Sequence, residues 1–293
     1  MGTTIALGIF DGVHTGHRRV LENAAGYAAE HGAKAAVCTF DTSTISTKGA
    51  DFLPIYSDEI KREKIQALGI TEIHSLDFTK VRDISSESFI TDILVSQLHA
   101  ENVVCGLDFR FGRHASGGIE ELEKAGQQLG FTLTVTDDVS VGNRKISSSR
   151  IRTYIREGNI KTANLLLGDT YFIRGEVIHG NRIGTKMNYP TANIALDEKL
   201  VMPRYGVYAV YSEINGRRAA GAANVGVKPT VGSDRPLCEV HFFDDMPSLY
   251  GERLDIHFVD FIRPEMRFDG VDSLFEQIHY DEKIIRKILS SIK

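Results

Sequence analysis

The sequence predicts an α/β parallel-sheet layer followed by a small antiparallel β-barrel, on three observations. Apolar runs and amphipathic helical stretches alternate through the first half. Short strands without long helices between them fill most of the second half, and one amphipathic stretch, "VDSLFEQIHYDEKIIRKILSSI", closes the chain. Alternating β and α elements imply a Rossmann-like parallel sheet with right-handed crossovers, whereas a series of short strands with tight turns implies a barrel.

Each element follows from its pattern. In "IALGIFDGVHTGHRRVLENAAGYA", Ile5, Leu7 and Ile9 alternate with small residues as in a half-buried strand, and Val20, Leu21, Ala24, Ala25 and Ala28 recur at helical spacing. "AKAAVCTF" is a second strand, and "SDEIKREKIQALG" a helix with Ile60, Ile65 and Leu68 on one face. The strand "ITEIHSLDF" and the helix "SSESFITDILVSQLHA" follow, the helix striped by Phe89, Ile90, Ile93, Leu94 and Leu98. "NVVCGLDF", "GIEELEKAGQQLG" and "FTLTVTDDV" complete the alternation as strand, helix and strand. "ISSSRIRTYIREGNIKTANLLLG" reads as two short helices closing this unit, with the boundary at Gly168, giving domains of residues 1–168 and 169–293.

Beyond the boundary come the strands "YFIRGEVIHG", "YGVYAVYSEI", "RRAAGAANVG", "LCEVHFFD" and "RLDIHFVDFIR". Asn215-Gly216 falls between two of them as a hairpin signal. In the last helix Leu274, Ile278, Ile285, Ile288 and Ile292 share a face, and Ser273 to Glu276 predicts a capping box.

Composition narrows the function classes. The 293 residues suffice for two domains, and 42% hydrophobic content is that of an ordinary globular chain. A net charge of −5 argues against broad nucleic-acid binding. Cys38, Cys105 and Cys238 are odd in number and widely spaced, which fits neither a disulfide framework nor a zinc site and points to the reducing cytoplasm. No apolar run approaches ~18 residues and no basic-then-apolar leader opens the chain, so neither membrane spanning nor export is expected.

The loop after the first strand is a strand-to-helix turn, which in an α/β sheet lies outside the carboxyl end of a strand, where helix-terminal N–H groups favour an anion. Gly12 and Gly16 let backbone approach a ligand, and His14 and His17 can both donate hydrogen bonds to one phosphate. Taken alone, two loop histidines are more often merely solvated, and a zinc pair lacks the accompanying Cys-x-x-Cys. Two further stretches, "GLDFRFG" and "ISSSRIR", also follow strands. Each has a plain structural reading: Asp11 as a turn cap, Asp108 in an Asx-turn, Arg150 or Arg152 on a solvated helix face. Together they supply anion donors at one sheet edge.

"GIFDGVHTGH", "GLDFRFG" and "ISSSRIR" resemble the motifs of the nucleotidylyltransferase module of prokaryotic bifunctional FAD synthetases. "GEVIHGNRIG", "YPTANI", "GVYAV", "CEVHFFD", "LYGERLDIHFVDFIRPEMRF" and the closing helix resemble that family's riboflavin kinase module, in the same order. The resemblance covers nearly the whole chain. It implies a Rossmann-like nucleotidylyltransferase domain followed by a riboflavin kinase-like barrel with a C-terminal helix. The implied chemistry is phosphorylation of riboflavin to FMN and adenylylation of FMN to FAD, with ATP as co-substrate and Mg2+ accompanying the nucleotide.

By the same resemblance, His14 and His17 hold the ATP phosphates, and Ser148 and Arg152 grip phosphate near the leaving group. Asp108 matches a polar flavin-site or nucleotide-site position and Arg263 a flavin-site position, and Glu239 in "CEVHFFD" matches the base that accepts the riboflavin hydroxyl proton. Thr191 and Asn193 in "PTAN" match residues associated with the Mg2+-nucleotide. By strand alternation alone Glu239 would be an ordinary outward carboxylate, and Thr191 and Asn193 ordinary turn polar groups.

"HGNRIGTK" is not a Walker loop, since Gly180 and Gly184 enclose only three residues and the lysine falls one place late; its backbone N–H groups can still cradle phosphate. The chain departs from the family pattern at Ile9, at Thr42 to Ile45 within "TFDTSTI", at Gly118, and at Thr185, Asn188 and Tyr189. The alternatives are the same fold with one active module, or a flavin-binding regulator without turnover. The expected partners are riboflavin, FMN and ATP, with neither nucleic acid nor membrane.

Overall fold

The computed structural model describes residues 2–48, 52–179, 190–227 and 236–291. By its internal contacts the chain divides into two compact units, Met1–Ser148 and Ser149–Lys293.

The first unit is built on a five-stranded parallel sheet in the order β3-β2-β1-β4-β5. The strands are β1 (Thr3–Leu7), β2 (Lys34–Phe40), β3 (Glu72–Leu76), β4 (Ala100–Gly106) and β5 (Thr132–Thr136). Helix α1 (Thr15–His31) packs on one face, where Val20, Leu21, Ala24 and Ala28 meet Ala6, Val37 and Val104. The opposite face carries Ile5, Leu7, Cys38, Val103 and Cys105 beneath Phe89, Ile93, Leu94 and Leu122. β1 is therefore buried along its whole length, not half-buried as its alternation predicts. The small Ala6 is a core position that lets α1 approach closely.

α2 (Asp58–Gln66) follows the predicted pattern. After short helical turns at Phe78–Val81 and Ser86–Ser88, α3 (Phe89–Gln97) is π-wound, with the Leu98 N–H donating to the Ile93 carbonyl at 3.0 Å. The wider turn suits the sequence, since Phe89, Ile93/Leu94 and Leu98 recur every four to five residues and all reach the sheet. α4 (Ile119–Leu129) leads to β5, and a small hairpin of β6 (Ser140–Val141) and β7 (Arg144–Lys145) ends the unit.

In the second unit, α5 (Ser148–Glu157) and α6 (Ile160–Leu167) precede a closed antiparallel barrel in the order β10-β11-β12-β9-β8-β13. Its strands are β8 (Phe172–Ile178), β9 (Ala192–Ala195), β10 (Gly206–Ile214), β11 (Arg217–Val227), β12 (Pro236–Phe242) and β13 (Arg253–Arg263). The Asn164 amide on α6 donates to the Phe258 carbonyl (2.9 Å) and accepts from the Tyr171 N–H (2.8 Å), so both helices count with the barrel by their contacts. Asn215 (φ 52°) and Gly216 (φ 72°) make the predicted hairpin turn.

α7 (Val271–Ser290) lies on the outside of β10, β11 and β13 through Ile285, Ile288 and Leu289. It starts at Val271, so Ser273 sits inside the first turn and donates to the Gly270 carbonyl (2.9 Å) instead of forming the predicted capping box.

Candidate active sites

In the first unit the sheet order reverses between β1 and β4, and the loops after those strands flank the crevice expected at such a switch point. The loop after β1 is wound tightly, with Phe10 (φ 54°), Gly12 (φ 80°) and Val13 (φ 44°) all left-handed. A branched residue there is strained by roughly 1–3 kcal/mol, a cost tolerated where structure over-determines the backbone. Asp11 does much of the determining. It is 3% exposed, its carboxylate accepts from the Ile55 N–H (2.8 Å), and its carbonyl accepts from the Ser148 hydroxyl (2.9 Å).

His14 is the N-cap of α1, and the His17 N–H donates to its Nδ1 at 3.3 Å. The three-residue spacing of the histidines is thus the spacing of a helix cap and its third residue, which places both rings on one side of the helix start. The rings stack with centroids 3.6 Å apart and planes 15° apart, and Phe10 meets His17 edge-on at 5.4 Å. A Cβ on Gly16 would lie 3.3 Å from the His14 ring, so glycine there leaves room for the stack.

Because His14 Nδ1 accepts, its neutral ring carries the proton on Nε2, as a donor. Burial, aided by the positive charge of Lys145, holds His14 down to about 4. Burial, the neighbouring His14 and Lys145 hold His17 well below the usual range, and among the described residues its buried Nδ1 has no hydrogen-bond partner. The pair is neutral near pH 7 and stands beside the N-terminus of a 17-residue helix, which is suited to binding anionic oxygens.

Asp108 follows β4 and is bound by Lys145, whose Nζ lies 2.6 Å from Asp108 and 2.6 Å from Asp138. Burial works against the Lys145 charge, but the two carboxylates more than offset it and raise its pKa. Lys145 was not singled out by sequence; the available signal was its place just ahead of "ISSSR". Ser148 joins the histidine loop through Asp11, whereas Arg152 lies on α5 in the second unit, its guanidinium donating to Ser149 Oγ at 3.1 Å. The stretch from Thr42 that departs from the family pattern is tied down by Asp58, which accepts from the Thr42 N–H (3.1 Å) and hydroxyl (2.8 Å) and pairs with the buried Lys61 (2.9 Å).

In the second unit Glu239 on β12 stands opposite Asn193 on β9 and Asn224 on β11. Cys238 and Val240, its neighbours, are wholly buried in the barrel, so Glu239 belongs to the outer face, where directly opposed side chains meet. Asn193 is 5% exposed and donates weakly to the Thr191 carbonyl (3.4 Å), and His241 Nδ1 donates to the Pro190 carbonyl (3.0 Å), tying β12 to the segment that carries Thr191. The structure thus sets Asn193 and Asn224 on either side of Glu239 and carries Thr191 two residues ahead of Asn193. Arg263 does not enter this row; it ends β13 and donates to Asp281 of α7 at 2.8 Å. Gly180 and Gly184, with Thr185, Asn188 and Tyr189, lie outside the described residues.

A hydroxyl, an amide and a carboxylate are hard oxygen donors of the kind Mg2+ takes, usually alongside phosphate oxygens. Among the described residues no three His, Cys, Asp or Glu side chains cluster as a metal site.

Residues 1–150 match the sequence model of the FAD synthetase family, and residues 167–289 that of riboflavin kinase. Curated relatives described as bifunctional riboflavin kinase/FMN adenylyltransferase include those of Listeria monocytogenes and Bacillus subtilis. The first is 36% identical over 99% of this chain and 93% of its own, the second 35% over 99% and 94%. That of Escherichia coli K12 is 33% identical over 100% of this chain and 94% of its own. A solved structure from Streptococcus pneumoniae, described as a macrolide-efflux protein, aligns with a TM-score of 0.88 at 32% identity, covering 97% of this chain and 94% of that one. Among the described residues here no helix is long and apolar enough to cross a membrane.

Proposed function

Since the chain belongs to the family of bifunctional riboflavin kinase/FMN adenylyltransferases, we propose how its two domains divide the work: residues 1–168 carry adenylyl transfer and residues 169–293 the kinase reaction. The protein is an ATP-dependent transferase that phosphorylates riboflavin to FMN and adenylylates FMN to FAD. The observation that carries this reading is that both family matches lie end to end on one chain that aligns with bifunctional relatives over nearly its whole length.

In the kinase step the riboflavin 5′-hydroxyl oxygen bonds to the γ-phosphorus of ATP, the bond from that phosphorus to the β,γ-bridging oxygen breaks, and ADP leaves. The hydroxyl is neutral, so a base is needed, and Glu239 takes its proton. Thr191 and Asn193 hold Mg2+ together with the nucleotide, and the glycines at 180 and 184 cradle phosphate. When bound, Mg2+ neutralises charge on the transferring phosphoryl group.

In the adenylyl step an FMN phosphate oxygen bonds to the α-phosphorus and pyrophosphate leaves. The attacking oxygen is already anionic, so positioning and charge stabilisation suffice. Neutral His14 and His17 donate to phosphate oxygens at the start of α1, with Gly12 and Gly16 giving the backbone close access. Ser148 and Arg152, four residues apart on one helix, are the proposed holders of the departing pyrophosphate; Asp108 is the proposed flavin contact of this domain, and Arg263 the proposed flavin contact of the kinase domain. Three buried free thiols, Cys38, Cys105 and Cys238, support residence in the reducing cytoplasm.

The test is a time course with riboflavin, ATP and Mg2+, resolving riboflavin, FMN and FAD by chromatography, beside a reaction started from FMN. FAD from both starts is expected. FMN that accumulates and stays inert would leave a kinase alone, inert riboflavin with active FMN an adenylyltransferase alone, and no turnover a flavin-binding regulator.

A further inference from the structure

The loop after β13 sends a second carboxylate to the outer-face row of the barrel. Arg263 and Asp281 fix the start of that loop with a pair only 15% and 5% exposed, and Glu265 follows two residues on. The Glu265 carboxylate lies against the bare backbone of Gly226, and a Cβ at that position would collide with it. Gly226 does not have a positive φ, so its backbone conformation does not require glycine; the missing side chain is what makes room for the carboxylate. One Glu265 oxygen also accepts from Asn224 Nδ2 at 3.5 Å.

Asn224 points outward between Ala223 and Val225, both wholly buried, and stands directly opposite Glu239. An amide beside a carboxylate can present either its N–H groups, which attract, or its oxygen, which repels. A second carboxylate that engages Nδ2 selects the first orientation and leaves another N–H on the same nitrogen for Glu239.

We infer that Glu265 is a positioning residue of the riboflavin-phosphorylating site, orienting Asn224 and through it the Glu239 carboxylate. The inference rests on the assignment of kinase chemistry to this face. It needs an acceptor at position 265 and an empty place at position 226, so two separate substitutions should produce one phenotype. Gly226→Ala displaces the carboxylate without altering it. Glu265→Ala removes it. Glu265→Gln keeps an acceptor oxygen.

The experiment measures kcat and KM for riboflavin phosphorylation in the full-length wild type and the three variants, with FMN adenylylation and thermal unfolding followed on the same samples. Gly226→Ala and Glu265→Ala should each lower kinase kcat by about tenfold or more, the scale of a lost hydrogen bond to a charged group. ATP KM, adenylylation and the unfolding temperature should stay near wild type, and Glu265→Gln should recover most of kcat. Wild-type kcat in Gly226→Ala or Glu265→Ala overturns the inference, as does a loss confined to KM or one that tracks the unfolding temperature. A wild type that makes no FMN overturns the kinase assignment itself and takes the inference with it.

Discussion

The His14 and His17 imidazoles stack 3.6 Å apart, the first capping the helix from which the second projects. Two positive charges at that separation would repel strongly in a buried site, so the pair works as neutral donors. On the proposed reading, removing either ring takes away a donor to phosphate. His14→Asn and His17→Asn should each lower FAD formation from FMN by about 10²–10³, as for loss of one preorganised donor. Phosphorylation of riboflavin by the same variants, measured in parallel, should be unchanged.

Stability should carry the same signature. His14 titrates at about 4 in the folded chain against 6.5 as the ordinary value, so between those limits the unfolded chain binds the extra proton. The stabilisation from keeping the ring neutral is complete above about pH 6.5 and is lost as the pH falls toward 4, by at most about 3 kcal/mol. Urea unfolding from pH 7.5 to 4.5 should show a loss of stability on acidification that is shallower in His14→Asn. Equal slopes would mean that His14 is not held neutral by the fold.

Lys145 binds two carboxylates and lowers both histidines. Lys145→Met should therefore raise the His14 and His17 pKa values, read from the pH dependence of their ring proton resonances by NMR. It should also weaken ATP in the adenylyl reaction, visible as a raised KM. Lys145→Arg should restore the histidine shifts, because it restores the charge.

These sites differ in how far the sequence disclosed them. The H-x-G-H loop was legible because strand-to-helix turns and glycine spacing are local, and its three-residue period is fixed by helix capping. Lys145 was not, because its importance comes from Asp108 and Asp138, which lie after different strands. In the barrel, alternation correctly put Glu239 on the outer face, but strand pairing set Asn224 opposite it, and no pattern in one strand announces its neighbour. The π-wound α3 and the fully buried β1 were missed for a related reason: both depend on what packs against them.

Arg263 was expected at the flavin, and its geometry gives it a structural duty to test. Its Nε donates to Asp281 at 2.8 Å, Gln277 donates to the other Asp281 oxygen at 2.8 Å, and the ion pair is nearly enclosed between β13 and α7. Breaking such a pair leaves one buried charge uncompensated. Asp281→Ala should destabilise the barrel by about 3–5 kcal/mol, whereas replacing both partners by apolar residues, as in Arg263→Met with Asp281→Leu, should come close to wild type. Thermal unfolding of the two variants separates stability from function. If the double variant is stable yet binds riboflavin poorly, Arg263 also serves the flavin; if it is stable and binds normally, the pair serves only to hold α7 to the barrel.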